Sequence, residues 1–453
     1  MLTTNSTTNA TLPKFEVIKL ASCNLKEFPD FLRFQDELEV LNLANNGIHG
    51  QVPTWLWNTS KETTRDINLH GNFLTGFEQH PNATFLDVVG SNFWGQVPSS
   101  IANLSKLTIL GLGDFTFDAQ PLRKLSKLII LNLANTKLSD VLPESLANMT
   151  QLSMLLLHNN ELFGEIPSWL LNLTRLTFLD LSENKLSGMF PSSISQLKHL
   201  EYLDFSFNRL QGPLPLPPPS VLYYRVASNL LTGKVPTSFC QNRTLFALDL
   251  SDNNLSGAIP QCLASFSSGS LLLFNLSNNF FHDIFHLFEF VVGLCCNFPD
   301  PMVNLIARFH GAIENPKTNS KFPKLRIIDL SHNGFFGTFT LLSEFFQNWN
   351  AMKMVGKGNS TYMQVETPVT TGVANIVYSM DFTYSITISS KGTKRLYEKI
   401  QSVFVAVDLS DNKFSGEIPE NLGRLCGLQA LNISENKLTG LNSLASSHHP
   451  WQI

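Results

Sequence analysis

Leucines and polar residues alternate along this chain at a fixed beat. In "LTFLDLSENKLSGMFP" (176–191), Leu179 and Leu181 fall on one side of a period-two strand, and Asp180 and Ser182 on the other. The same frame returns in "LEYLDFSFNRLQGPLP" (200–215) and "LFALDLSDNNLSGAIP" (245–260). Each copy predicts a short strand, a turn at an Asn, a Gly-containing turn and then a proline-led stretch. Aligned on that Asn, the copies place Asn160, Asn184, Asn208, Asn229, Asn253 and Asn279 at spacings of 24, 24, 21, 24 and 26. The frame extends back through Asn24, Asn46 and Asn72 and forward to Asn333, Asn412 and Asn436, while Ser91, Phe115, Thr136 and Ala307 stand in the Asn place of weaker copies. Sixteen coils are expected, none able to close a core alone.

A period in the twenties with L-x-L-x-x-N is the leucine-rich repeat pattern. The fold class expected is an α/β repeat, a solenoid with a parallel sheet on its concave side. The Asn amide suits its place because it can donate two hydrogen bonds and accept others, joining backbone groups of neighbouring coils. Gly188 suits the turn after the next leucine, and Pro191 a stretch that needs no internal donor.

Composition narrows the picture. Of 453 residues, 43% are hydrophobic and only 15% charged, against roughly 25% in an ordinary soluble domain. A net charge of -4 gives no case for nucleic acid as a partner. The most apolar run, "IFHLFEFVVGLCC" (284–296), carries His286 and Glu289 and falls short of the roughly 20 residues that cross a bilayer. No H-E-x-x-H, G-x-S-x-G, Walker or kinase motif occurs, so no enzyme is expected, and no cofactor. "HDIFH" sets His282 and His286 four apart beside Asp283, but without the further ligands that a metal site requires.

N-x-[ST] acceptors expected to carry glycans are Asn58, Asn82, Asn103, Asn148, Asn172, Asn242, Asn254, Asn275, Asn359 and Asn432, with Asn5 and Asn9 near the start. "ANLSKL", "ANMTQL" and "LNLTRL" place theirs in one phase, between the Pro and the next strand, where the same residues could also cap a short helical turn. Cys240 and Cys262 lie 11 and 9 residues after the Asn of adjacent repeats, so a bridge between neighbouring coils is expected in an oxidising compartment. Cys23, Cys295, Cys296 and Cys426 have no evident partners.

Asn333 and Asn412 are 79 apart, one repeat plus about 55 residues. Three segments follow: repeats over 1–344 (irregular or deleted near 283–304), an island at 345–403, and repeats over 404–440 with an off-pattern tail at 441–453. The "L-x-G-x-I-P" tails and the island ending "KGTKRLYEKI" before "VDLSDNKFSGEIPENLG" resemble plant leucine-rich-repeat receptor-like proteins, cell-surface receptors without kinase domains. The resemblance implies a glycosylated ectodomain at the outer face of the plasma membrane, a peptide or protein ligand, and signalling through partner receptor kinases in defence or development. It implies island contacts to ligand or partner, for which Lys391, Lys394, Arg395 and Lys399 are candidates, with a solvated turn as the alternative. Against the family's pattern, the chain shows no signal peptide or transmembrane helix of its own and is expected to be incomplete at both ends, with frayed terminal coils. The alternatives are a soluble repeat inhibitor of secreted pathogen enzymes and a non-functional truncated gene product. On the concave face the aspartates of "LDLS" (Asp180, Asp204, Asp249, Asp329, Asp408) are read as scaffold, while Phe178, Tyr202, Tyr223 and Phe246 are the candidate ligand surface.

Overall fold

The computed structural model describes residues 13–59, 62–76, 83–90, 99–113, 120–241, 245, 247–257, 260, 273–281, 304–312, 327–329, 334–339, 364–370, 377–383, 386–390, 393–397 and 404–439. The chain divides into two compact units, Met1–Leu231 and Thr232–Ile453. In the first, ten short strands are described: Val17–Lys19, Val40–Asn42, Asp66–Asn68, Phe85–Asp87, Ile109–Gly111, Ile130–Asn132, Met154–Leu156, Phe178–Asp180, Tyr202–Asp204 and Tyr223–Arg225. Each pairs in parallel with the next, residue for residue. The second unit has six described rungs, Ala247–Asp249, Leu273–Phe281, Asn304–Ala312, Ile327–Asp329, Ala406–Asp408 and Ala430–Asn432, again in parallel succession. Ten and six among the described residues make the sixteen coils that the repeat frame calls for.

The leucines of the frame fill the inside of each coil; Leu179, Leu181, Leu186, Leu203 and Leu210 are fully buried. The Asn places work as a ladder. Asn184 Nδ2 donates to Leu157 O of the preceding coil and to Leu181 O and Ser182 O of its own, while its Oδ1 accepts from Leu162 N. Asn160, Asn208 and Asn229 repeat this arrangement. Backbone groups that a tight turn would strand in the core thus find a partner on the next coil. Thr136 occupies the place as expected, its Oγ1 donating to Leu133 O.

Two assignments of the frame shift. In the first coil the ladder place belongs to Cys23, whose N–H donates to Asn46 Oδ1 as the Thr136 N–H does to Asn160 Oδ1; Asn24 lies one residue beyond. Both residues that follow a non-Asn ladder place, Asn24 and Lys137, have positive φ (57° and 55°). Ala307 pairs with Leu276, an inward leucine, and so does not stand in the Asn place. Ser91, Phe115 and Asn333 lie outside the described residues.

The outer side is lighter than an α/β repeat suggests. Among the described residues one α-helix occurs, Thr54–Thr59, and the other turns are single 3₁₀ segments such as Glu144–Asn148, Ser168–Asn172 and Ser192–Gln196. Each of these three follows a proline (Pro143, Pro167, Pro191) with φ between −68° and −74°, whose carbonyl accepts the first turn bond from Leu146, Leu170 or Ile194.

The repeat glycine meets two demands at once. Gly164 and Gly188 have φ of +83° and +79°, and a Cβ there would lie 3.0 Å from Val141 Cγ1 and 2.7 Å from Glu165 Cγ of the preceding coil. Gly50 shares the conformation (φ +87°) but meets no described atom within 4 Å. Gly50→Ala is expected to cost about 1 kcal/mol of conformational strain alone, and Gly164→Ala about 2, since the stiff Val141 must also move. Equal losses in urea unfolding would show that the contact adds nothing.

In the second unit, Ile327–Asp329 pairs directly with Ala406–Asp408, although residues 330–405 intervene. Within that interval lie two antiparallel hairpins, Gln364–Thr370 with Val377–Thr383 and Ile386–Ser390 with Thr393–Tyr397. Both pairings are antiparallel, unlike those of the rungs on either side.

Candidate ligand-binding face

On the side of the rungs opposite the leucine core, Phe178 and Tyr202 stack with ring centroids 4.0 Å apart at 4°, and Tyr223 continues at 5.6 Å and 40°. The one-to-one register Phe178↔Tyr202↔Tyr223 imposes this column. The rings are not an open platform: Phe178, Tyr202 and Tyr223 are 3%, 4% and 7% exposed. Ile109, Ile130 and Met154, in the same column, are buried as well. Alternation told which side these residues take, and not that the side is covered. Replacing both tyrosines by alanine would therefore remove packing as well as any ligand contact. Phe246 lies outside the described residues.

The aspartates are turn-formers. Asp180 Oδ1 accepts from the N–H and Oγ–H of Ser182, and Asp249 and Asp408 hold Ser251 and Ser410 the same way. Asp204 Oδ1 accepts from Ser206 N. Each carboxylate closes the end of its strand onto the residue two further on, the local bonding for which Asp is suited. The scaffold reading thus holds for these four; Asp329 has no described side chain.

Two of them do more. Asp204 Oδ2 is 2.8 Å from Arg225 Nη1 and accepts from Tyr202 OH at 3.2 Å; Asp180 Oδ2 is 3.2 Å from His158 Nδ1. Burial pushes the Asp204 carboxyl up to about 6, with Asp180 adding repulsion, against the pull of Arg225 and Ser206. For His158, burial opposes the charged ring, and Asp180, Glu183 and Asp204 outweigh it, so its pKa is raised above 6.5. Burial raises the Tyr202 phenol well above 10.0, so it stays a donor to Asp204. These pairings had a signal in the sequence: Asp204 and Arg225 are 21 residues apart, the spacing of their own repeats. Glu183 and Phe207, at the ends of two of these rungs, are exposed.

The remaining sequence candidates are scattered. Asn58, Asn103, Asn148 and Asn172 are exposed, each in or at the end of an outer-side helical turn, and Asn254 is exposed on a strand. Asn432 is 8% exposed, its Nδ2 donating to Asp408 Oδ2 and its Oδ1 accepting from Ser434. A glycan on that nitrogen would have to find space at a buried position beside Asp408. Asn82, Asn242 and Asn359 lie outside the described residues, as do the side chains of Asn275, Cys240 and Cys262, and with them the expected bridge. Lys394 and Arg395 pair with Ser389 and Ile388 in the second hairpin; Lys391 and Lys399 lie outside the described residues, as does "HDIFH".

The parallel rungs, the Asn ladder and the proline-led turns define a leucine-rich-repeat protein. Residues 167–210 match the family described as leucine rich repeat, and a second leucine rich repeat description matches residues 37–59, 127–149, 244–266 and 405–425. Receptor-like protein 53 of Arabidopsis thaliana is 29% identical across 91% of this chain and 32% of its own length; receptor-like protein 18 of the same plant is 31% identical across 90% and 33%. The chain is similar to plant receptor-like proteins along nine-tenths of its own length and spans about a third of the length of these relatives. Among solved structures, the Arabidopsis receptor kinase HAESA in complex with the peptide hormone IDA and the co-receptor SERK1 is similar (24% identity, 93% of this chain and 74% of that one, TM-score 0.63). So is the PEPR1–AtPEP1 complex (23%, 91% and 54%, TM-score 0.63). At these identities the likeness is one of fold. Among the described residues, no helix is long and apolar enough to cross a membrane.

Proposed function

We propose that this chain is part of the ectodomain of a plant cell-surface receptor-like protein, and that the strand side of its first unit takes a peptide or protein ligand. The observation that carries the reading is relatedness to receptor-like proteins along nine-tenths of the chain. The repeat fold supports it, since the HAESA and PEPR1 structures of that fold are complexes with a peptide hormone and with AtPEP1. Signalling then runs through a partner receptor kinase, in defence or development, with the hairpin end bearing Lys394 and Arg395 as the partner contact. With the ring column buried, exposed Glu183 and Phe207 and the half-exposed Arg225 are where a ligand first meets the face.

The test is photo-crosslinking. The chain, secreted from plant cells, carries a benzophenone amino acid in place of Glu183 or Phe207, or in place of Gln196, exposed on an outer turn. Extracellular fluid is expected to give saturable peptide or protein adducts at the first two positions and none at Gln196. Adducts at all three alike, or at none, would defeat the assignment. The same preparation should carry glycans at Asn58, Asn103, Asn148 and Asn172 and none at Asn432, read by mass spectrometry of its peptides.

A further inference from the structure

Four ionisable groups meet across four consecutive rungs of the first unit. His158 lies just beyond Met154–Leu156; Asp180, with exposed Glu183 beyond it, ends Phe178–Asp180; Asp204 and the Tyr202 phenol share Tyr202–Asp204; Arg225 ends Tyr223–Arg225. Asp180 and Asp204 are paired neighbours in the ladder, so two carboxylates sit side by side. One has the imidazole at 3.2 Å and the other the guanidinium at 2.8 Å. The strip is therefore two buried carboxylates, with Glu183 a third at its exposed edge, against one permanent cation, and the imidazole is able to add a charge.

We propose that this strip is a proton-operated contact for an acidic peptide ligand. Uptake of one proton at His158 and one at Asp204 makes the face two charges more positive, so that it holds carboxylates it repels at neutral pH. This rests on the ligand-binding reading of the same face and adds its regulation. The protons have defined destinations: the imidazole nitrogen facing Asp180, and the carboxylate oxygen facing Arg225 and the Tyr202 hydroxyl. The environment sets Asp204 to respond in the mildly acidic range and moves His158 upward from its ordinary value. Burial and Asp180 lift the Asp204 carboxyl to about 6, and the surrounding carboxylates lift His158 above 6.5 despite its burial. Arg225 keeps its charge throughout and, with its side chain 30% exposed, remains reachable. In a partly water-excluded strip a change of two charges acts more strongly than the same change on an open surface.

The experiment measures binding of a fluorescent hexa-aspartate peptide to the secreted chain at constant ionic strength, with hexa-lysine as control. Wild type is expected to bind hexa-aspartate about fivefold or more tightly at about pH 5.5 than at about pH 7.5, and hexa-lysine in the opposite sense. In the His158→Gln, Asp204→Asn double variant the ratio is expected to fall below about twofold, because neither position titrates. If the double variant does not fold, His158→Gln alone should roughly halve the wild-type ratio on a logarithmic scale. A double variant that keeps the wild-type ratio would assign the effect to other histidines and overturn the proposal. So would absence of hexa-aspartate binding at both pH values. Imidazole NMR of the histidine-labelled chain separates the two readings without any ligand. A His158 midpoint at or below 6.5 removes the proton device while leaving ligand binding standing. A raised midpoint with no peptide bound leaves the titration and removes the ligand.

Discussion

Asn184→Ala is expected to destabilise the chain by about 3 kcal/mol, by stranding the buried Leu162 N–H and removing one of the donors to each of three carbonyls. The amide oxygen is the partner of Leu162 N–H on the preceding coil, and its nitrogen shares Leu157 O with Asn160, Leu181 O with Asn208 and Ser182 O with the Asn159 N–H. Asn184→Thr should lose about half as much: Thr136 shows that a hydroxyl can keep one of the carbonyl bonds, here to Leu133 O. The measurement is urea unfolding, with the slope checked for a change in cooperativity, since a broken joint between coils can divide the transition. A loss below about 1 kcal/mol for the alanine variant would mean that the ladder does not join the coils.

Arg225→Leu is the second large effect, and its size should depend on pH. The substitution leaves the Asp204 carboxylate buried without the guanidinium at 2.8 Å, for which a loss of about 3 kcal/mol is expected at about pH 7.5. Asp204 already titrates near 6 when folded, against 3.8 as its ordinary value, and without Arg225 it must titrate higher. A folded pKa above the unfolded one means that the folded state binds the proton more tightly. Stability therefore falls as pH rises through the interval between the two values, and the variant falls further than wild type. Below the folded pKa the carboxyl is neutral and needs no cation, so the penalty at about pH 5 should shrink to about half or less. Thermal or urea unfolding of both chains at the two pH values reads this directly. A penalty independent of pH would show that Arg225 contributes packing and not charge compensation.

The repeat frame was legible because each coil solves the same problem with the same residues. An inward pair such as Leu179 and Leu181, an amide at Asn184, a glycine that must take positive φ and a proline that starts the outer turn can each be read at a fixed offset. The frame slipped where those residues are lost. Cys23 makes the ladder contact through its backbone N–H, which any residue has, so the neighbouring Asn24 drew the assignment. Near Ala307 no Asn marks the turn, and only strand pairing with Leu276 sets the register. The candidate face was legible as a set of columns and not as an environment. Period two puts Phe178, Tyr202 and Tyr223 on one side, but burial there depends on what lies across the sheet. The ionic strip was missed for another reason: Asp180, Asp204 and Arg225 share one column, but the aspartates also belong to the turn-forming consensus, which Arg225 and His158 do not.

The direct pairing of Ile327–Asp329 with Ala406–Asp408 separates two things that most folds tie together. The rungs pair through their own backbone, and Gly334–Thr338 just beyond the first pairs with Lys413–Glu417, so the rest of the chain between them need contribute little beyond a closure entropy that grows as the logarithm of its length. Doubling that segment would cost only about 0.6 kcal/mol more. An insertion at this boundary can therefore lengthen, shorten or change sequence while the coils on both sides keep their register. Selection can rewrite what this part of the molecule displays without reopening the question of how it folds.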